Sequence, residues 1–237
     1  MWEIIYLLVV THITIVCVTV YLHRGITHKG LTFDSKLSHF MRFWLWLTTG
    51  MVTKAWVAVH RKHHRFTDKE GDPHSPHQVP LLTVLFLGWM LYMAENTNKQ
   101  LGKQYAPDVQ EDWIEKNIYT KYNWVGIIIM LIIDVLLFGW IGLTIWSVQM
   151  IWIPFWAAGV INGIGHYYGY KNGDSGDYSC NIVPWGIIVG GEELHNNHHL
   201  DPANPKLSKK WFEIDIGWMW IKLLERCKLL TIKEELL

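Results

Sequence analysis

The sequence predicts an all-α integral membrane protein with about three transmembrane helices, in-plane amphipathic helices and a cytosolic histidine-rich cap. Three observations predict it. Long uncharged runs alternate with polar segments. Every basic residue can be assigned to one side of those runs. Eight of the 13 histidines fall in three tight groups, with a ninth nearby.

Ile4–Leu22 carries no charge over 19 residues, enough to cross a hydrocarbon core of roughly 30 Å. It lacks the basic start and small-residue cleavage site of a signal peptide, so it is read as a retained span. Leu37–Val59 and Val79–Met93 are apolar but weaker, the first containing Arg42 and Lys54. They are read as in-plane helices anchored by Trp44, Trp46, Trp56 and Trp89. Trp124–Ile161 has 38 residues and one charge, Asp134, expected to make a local contact. As one straight helix it would be about 57 Å long, too long for a bilayer. Gly139 and Gly142 near its middle predict a hairpin of two spans, 124–139 and 141–161.

With three spans, all 21 Lys and Arg residues lie on one side, which the positive-inside rule makes the cytoplasm. Every histidine group lands there too. The chain is read as one domain over 1–237, a multi-pass membrane protein with its cap built from 23–121 and 162–237. From Pro202 onward the sequence reads as a polar tail with an amphipathic stretch at Trp211–Leu224. Balanced charge, 21 basic against 21 acidic, excludes a nucleic-acid partner. Cys17, Cys180 and Cys227 are too scattered for a disulfide framework or a thiolate metal site.

The histidine groups read His23-Arg-Gly-Ile-Thr-His28, His60-Arg-Lys-His63-His64 and His195-Asn-Asn-His198-His199, with Asn162-Gly-Ile-Gly-His166 as satellite. Random placement predicts roughly 0.04 occurrences of HxxHH, and the chain has two. On a helix, positions i, i+3 and i+4 share a face, so each triplet can converge on one point. His23 and His28 would diverge by about 140° on an ideal helix; Gly25 is expected to end the helix and let His28 turn back. Nine histidines are too many for one metal, and two is the natural count. Imidazole suits zinc, copper, iron and nickel, but structural zinc takes four ligands, usually with cysteine.

The segments HRGITHKG, HRKHHRFTDKEGDPHSP, NGIGH and GEELHNNHH resemble the histidine boxes of the acyl-CoA and delta-9 acyl-lipid desaturases. The resemblance runs from about Leu22 to Pro202. It implies two iron ions (Fe2+) held by His23, His28, His60, His63, His64, His166, His195, His198 and His199, with Asn162 reaching one through a water. It also implies an oxygen-dependent desaturase that puts a cis double bond, commonly at delta-9, into a long-chain acyl-CoA or acyl-lipid. Oxygen and a separate electron donor, a ferredoxin or a small haem protein, are the other implied partners, beside the lipid bilayer. Its larger relatives carry apolar segments before the first box; here three spans are counted where they have four. Nine neutral ligands leave positive charge on a metal pair, so Glu192, Asp72, Asp68 and Asp201 are candidates to neutralise and orient the site.

Other histidines are read more plainly. His12 and His39 are expected to be structural, and His74 and His77 to lie outside the metal shell. Thr11, Ile15 and Thr19 precede His23 at four-residue steps, and that face, with Trp56, is expected to line an acyl tunnel. Competing readings are a hydroxylase of the same superfamily, acting on fatty acyl chains or alkanes, and a membrane haem protein.

Overall fold

The computed structural model describes residues 1–109 and 111–233, so positions 110 and 234–237 of the expected cap lie outside the described residues. Its helices are of two kinds, some apolar and others carrying the histidines, and the first does both along its length.

Helix α1 (Trp2–Val16) does not stop before the first histidine box. It continues as a π-helical stretch, Cys17–Thr27, with His28 at its C-cap. The expectation that Gly25 ends the helix is therefore corrected. Bonds to the fifth residue back, His28 N–H to His23 O at 3.1 Å among them, widen each turn and bring His23 and His28 to one side. Gly25 has another use: a Cβ there would fall 2.3 Å from Phe33 Cε2.

Strand β1 (Leu31–Phe33) follows, then α2 (Ser35–Thr49), started by the Asp34 carboxylate accepting from Lys36 N–H at 2.9 Å. The apolar stretch Leu37–Val59 is broken at Gly50, whose left-handed φ of 63° ends α2. Helix α3 (Thr53–Phe66) then carries the second histidine box. Helix α4 (Leu81–Asn96) follows Pro80, and the short α5 (Leu101–Tyr105) precedes a π turn at Glu115–Thr120.

The expected hairpin is present. Helix α6 (Asn123–Phe138) and α7 (Trp140–Ile153) turn at Gly139, and α7 runs on as a π stretch, Pro154–Ile161. Trp2–Thr27 and Trp140–His166 are long and apolar enough to cross a membrane. Helix α6 is apolar but has 16 residues. Asp134, expected to make a local contact, accepts from Tyr6 O–H at 2.7 Å and is fully buried.

Close backbone approach at glycine sets how these helices pack. A Cβ at Gly88 would meet Ala158 O at 2.4 Å, and one at Gly159 would meet Leu85 O at 2.3 Å, which fixes α4 against the Pro154–Ile161 stretch. A Cβ at Gly142 would be pressed as hard against Asp134 O.

The segment after Pro202 is more than a polar tail. Strand β3 (Ile214–Asp215) pairs in parallel with β2 (Trp185–Gly186), and β4 (Leu230–Ile232) pairs antiparallel with β1. Asp215 caps α9 (Ile216–Arg226) by accepting from Trp218 N–H at 2.9 Å. From α9, Trp220 Nε1–H donates to His12 Nε2 at 2.8 Å, which accounts for His12 as a structural residue. The signal missed in the sequence is pairing across the whole chain, which no local pattern encodes.

Candidate metal centre

Four segments deliver the clustered histidines: the π stretch of the first helix, α3, the 3-10 turn Ile164–His166, and α8 (His195–Leu200). All nine fall in two groups whose donor atoms lie within 4.8 Å of one another. Group A is His23, His28, His60, His64 and His198; group B is His63, His166, His195 and His199. Each HxxHH triplet is split. His60 and His64, one turn apart on α3, face group A while His63 faces group B. On α8, His198 turns to A, and His195 and His199 to B.

Ring contacts in group A cannot all be hydrogen bonds. His60 Nε2 lies 3.0 Å from His23 Nε2, 3.1 Å from His28 Nε2 and 3.0 Å from His64 Nε2. A ring nitrogen has one proton or one lone pair, so at most one of these contacts is a bond. The arrangement makes sense as lone pairs aimed at a shared cation. With metal–nitrogen bonds of about 2.1 Å, ligands at right angles sit about 3.0 Å apart. Five converging nitrogens also exceed the four of a structural zinc site. In group B, His166 Nε2 is 2.9 Å from His195 Nε2, while His63 Nε2 and His199 Nε2 are buried with no hydrogen-bond partner among the described residues. Both groups therefore fit a metal ion.

Burial sets the protonation states. It pushes the pKa of His28, His60, His64, His195 and His198 well below the ordinary value, helped by neighbouring imidazoles. Burial takes His199 down to about 3 against the pull of Asp177. His63 moves up, because Asp72, with Asp68 and Asp177 nearby, outweighs its burial. The carboxylates stay ionised: although burial opposes it, His63 holds Asp72 below its usual range, as His199 does Asp177.

Behind the histidines stand four carboxylates. Glu192 Oε2 lies 2.9 Å from His23 Nδ1, Asp72 3.0 Å from His63 Nδ1, Asp68 2.9 Å from His166 Nδ1 and Asp177 2.9 Å from His199 Nδ1. Three of these were expected from the sequence. Asp201 is a correction: its side chain accepts from Asn204 Nδ2 at 3.3 Å, and none of the four carboxylate–histidine pairs includes it. Asp177 takes that role from a Gly/Asp/Ser loop with no motif spacing to announce it. Glu192 and His195 have a Glu-x-x-His spacing, yet Glu192 faces His23, across the group boundary.

Arg24 is another residue the sequence reading passed over. It is 1% exposed, and its guanidinium bonds Asp215 at 2.9 Å, Pro205 O at 2.8 Å and Gly190 O at 2.7 Å. It ties the first box to the third-box loop and the tail. His74, expected outside the metal shell, is buried and stacks on His63 with ring centroids 4.6 Å apart.

A cavity of about 600 Å³ with mainly apolar walls opens against the histidines. Trp56, stacked on His60 at 4.9 Å, lines it, and so do His23, Asn162 and Glu192. Thr11, Ile15 and Thr19 are not among its lining residues. Thr19 donates to Glu192 and to Gly190 O, and Ile15 packs on Gly190, so this face meets the third-box loop. Four-residue spacing identifies residues on one helix face, but not the neighbour that face meets. The first helix contributes Val18 and His23 to the cavity instead.

The fatty acid desaturase family model matches residues 2–214. The chain belongs to the fatty acid desaturase family. Members are oxidoreductases, and the chain shares that class. It is 27% identical over 216 residues to an sn-1 stearoyl-lipid 9-desaturase of Anabaena variabilis, covering 90% of this chain and 77% of that protein. Identity is 29% over 220 residues to Acyl-CoA 5-desaturase AL21 of Anemone leveillei, covering 88% and 64%. Delta-9 acyl-lipid desaturase 1 of Arabidopsis thaliana is 25% identical over 222 residues, covering 90% and 69%.

Proposed function

We propose that the protein is a membrane desaturase that inserts a cis double bond, at delta-9, into a long-chain acyl-CoA or acyl-lipid. The observation that carries this reading is two converging histidine groups against one apolar cavity. Family membership supports it, as do the names of the relatives. Five histidines of group A would hold one iron and four of group B the other, with Asn162 reaching one of them through a water.

Oxygen-dependent removal of two hydrogens from neighbouring methylenes is the chemistry a bound iron pair supplies. The chain's own residues do the rest. Asp68, Asp72 and Asp177 accept from Nδ1–H of their histidines, which fixes each tautomer so that Nε2 keeps its lone pair, while Glu192 places a charge 2.9 Å from His23 Nδ1. The cavity walls hold an acyl chain and exclude water, and Trp56 packs beside His60 where the chain would pass. Electrons come from a separate carrier, a ferredoxin or a small haem protein.

The reading includes one domain with three spans, about 4–22, 124–139 and 141–161, and a cap on the cytoplasmic side that begins at His23. Expression in a host lacking unsaturated fatty acids tests the chemistry. A double bond located by mass spectrometry is the expected product; a hydroxylated chain would move the assignment to the hydroxylase branch. Metal analysis finding one zinc and no iron would overturn the di-iron reading. A reporter on the amino terminus should lie outside the cytoplasm and one on the carboxyl terminus inside.

A further inference from the structure

The two histidine groups are unequally supported. In group B, three of four imidazoles have a carboxylate at Nδ1: His63 with Asp72, His166 with Asp68 and His199 with Asp177. In group A, among the described residues, one of five does: His23 with Glu192. Even that charge is shared, since Glu192 Oε1 lies 3.6 Å from Arg24 Nε. A divalent ion with neutral imidazoles would thus see three negative charges in group B and one in group A.

The group B carboxylates are also held in place by other donors. Asp72 accepts from Asp68 N–H at 2.8 Å and His74 N–H at 3.1 Å. Asp68 accepts from Ser75 O–H at 2.7 Å and Tyr178 N–H at 2.9 Å. Asp177 accepts from Ser179 N–H at 2.9 Å and from Ser175 O–H. These bonds orient the carboxylates before any metal arrives, so binding costs little reorganisation. All four histidines of group B are buried, whereas His28 and His64 of group A are partly exposed.

We infer that the two metal positions are unequal: group B is the tight site and group A the labile one. Asp72, Asp68 and Asp177 act as positioning residues that set the difference. The inference rests on the two-metal reading above. A carboxylate on the distal ring nitrogen raises ligand basicity and fixes ring orientation, and losing one costs about 10–100-fold in metal affinity.

Cobalt(II) titration of the metal-stripped full chain, read by absorption and by metal content, tests it. The expected result is two phases of about one ion each, separated by at least 10-fold in affinity. His28→Ala should retain the tight phase and His166→Ala only the weak one. Asp177→Asn should weaken the tight phase by about 10–100-fold and leave the weak one unchanged, with Glu192→Gln doing the reverse. Asp72→Asn serves as a second variant if Asp177→Asn does not fold. Two ions bound with equal affinity would overturn the inequality while leaving the two-metal reading intact. So would Asp177→Asn acting on the phase that His28→Ala removes. Binding of fewer than two ions by the unmodified protein would overturn both.

Discussion

The apolar helices and the histidine cap are held together in different ways. Between α4 and the Pro154–Ile161 stretch, or α6 and α7, glycines bring backbone against backbone, as small residues do where there is no water to drive apolar association. In the cap, buried ion pairs and amides do the joining. Arg24 reaches three segments, and Asn197 Nδ2 donates to Leu207 O at 2.8 Å and to Glu213 at 2.9 Å. Steric fit therefore sets the apolar helices and pairing of charges and dipoles the cap. The first should tolerate polar loss and fail on added volume; the second should fail on polar loss, and on added volume too where Gly169 and Gly217 press on the backbone at Asn181 and Gly190.

The largest effect is expected where the cap meets metal. His63→Ala removes a group B ligand and should abolish activity, a drop beyond the roughly 100-fold typical of outer partners, with loss of bound iron. Metal content and turnover measured on one preparation check it. Next is Arg24→Met, which leaves Asp215 and Glu192 buried without their cation. It should cost about 3–5 kcal/mol, read from chemical unfolding. Gly88→Leu tests the apolar helices. Its side chain has no room beside Ala158 O, so about 1–3 kcal/mol should be lost with iron content unchanged. Should Gly88→Leu strip the metal instead, the two regions are not independent. The smallest effect is expected from Thr11→Val. Thr11 Oγ1 is buried without a hydrogen-bond partner among the described residues, so replacing it should raise stability by up to about 1 kcal/mol and leave product chain length unchanged.

The sequence was informative where physics is local. Uncharged runs marked the helices, and HxxHH spacing marked the turns of α3 and α8 that bring histidines together. It could not assign each ring to a group, because adjacent His63 and His64 diverge and only tertiary packing says toward what. The π winding of Cys17–Thr27 was also hidden: a helix that widens under tertiary contacts has the same composition as one that does not. Asp177 and Asp201 illustrate the same limit, since both are acidic residues near a box and only one is folded onto a histidine.

Joining β1 to β4 has a consequence in time. Leu31–Phe33 waits for Leu230–Ile232, and at 5–20 residues per second roughly 10–40 s of synthesis separate them. For that interval His23 and His28 have been made, but His195, His198 and His199 come only near its end. A centre that needs all three boxes would therefore be a late product of assembly, complete only once His195, His198 and His199 have been made, and not a nucleus on which the chain folds.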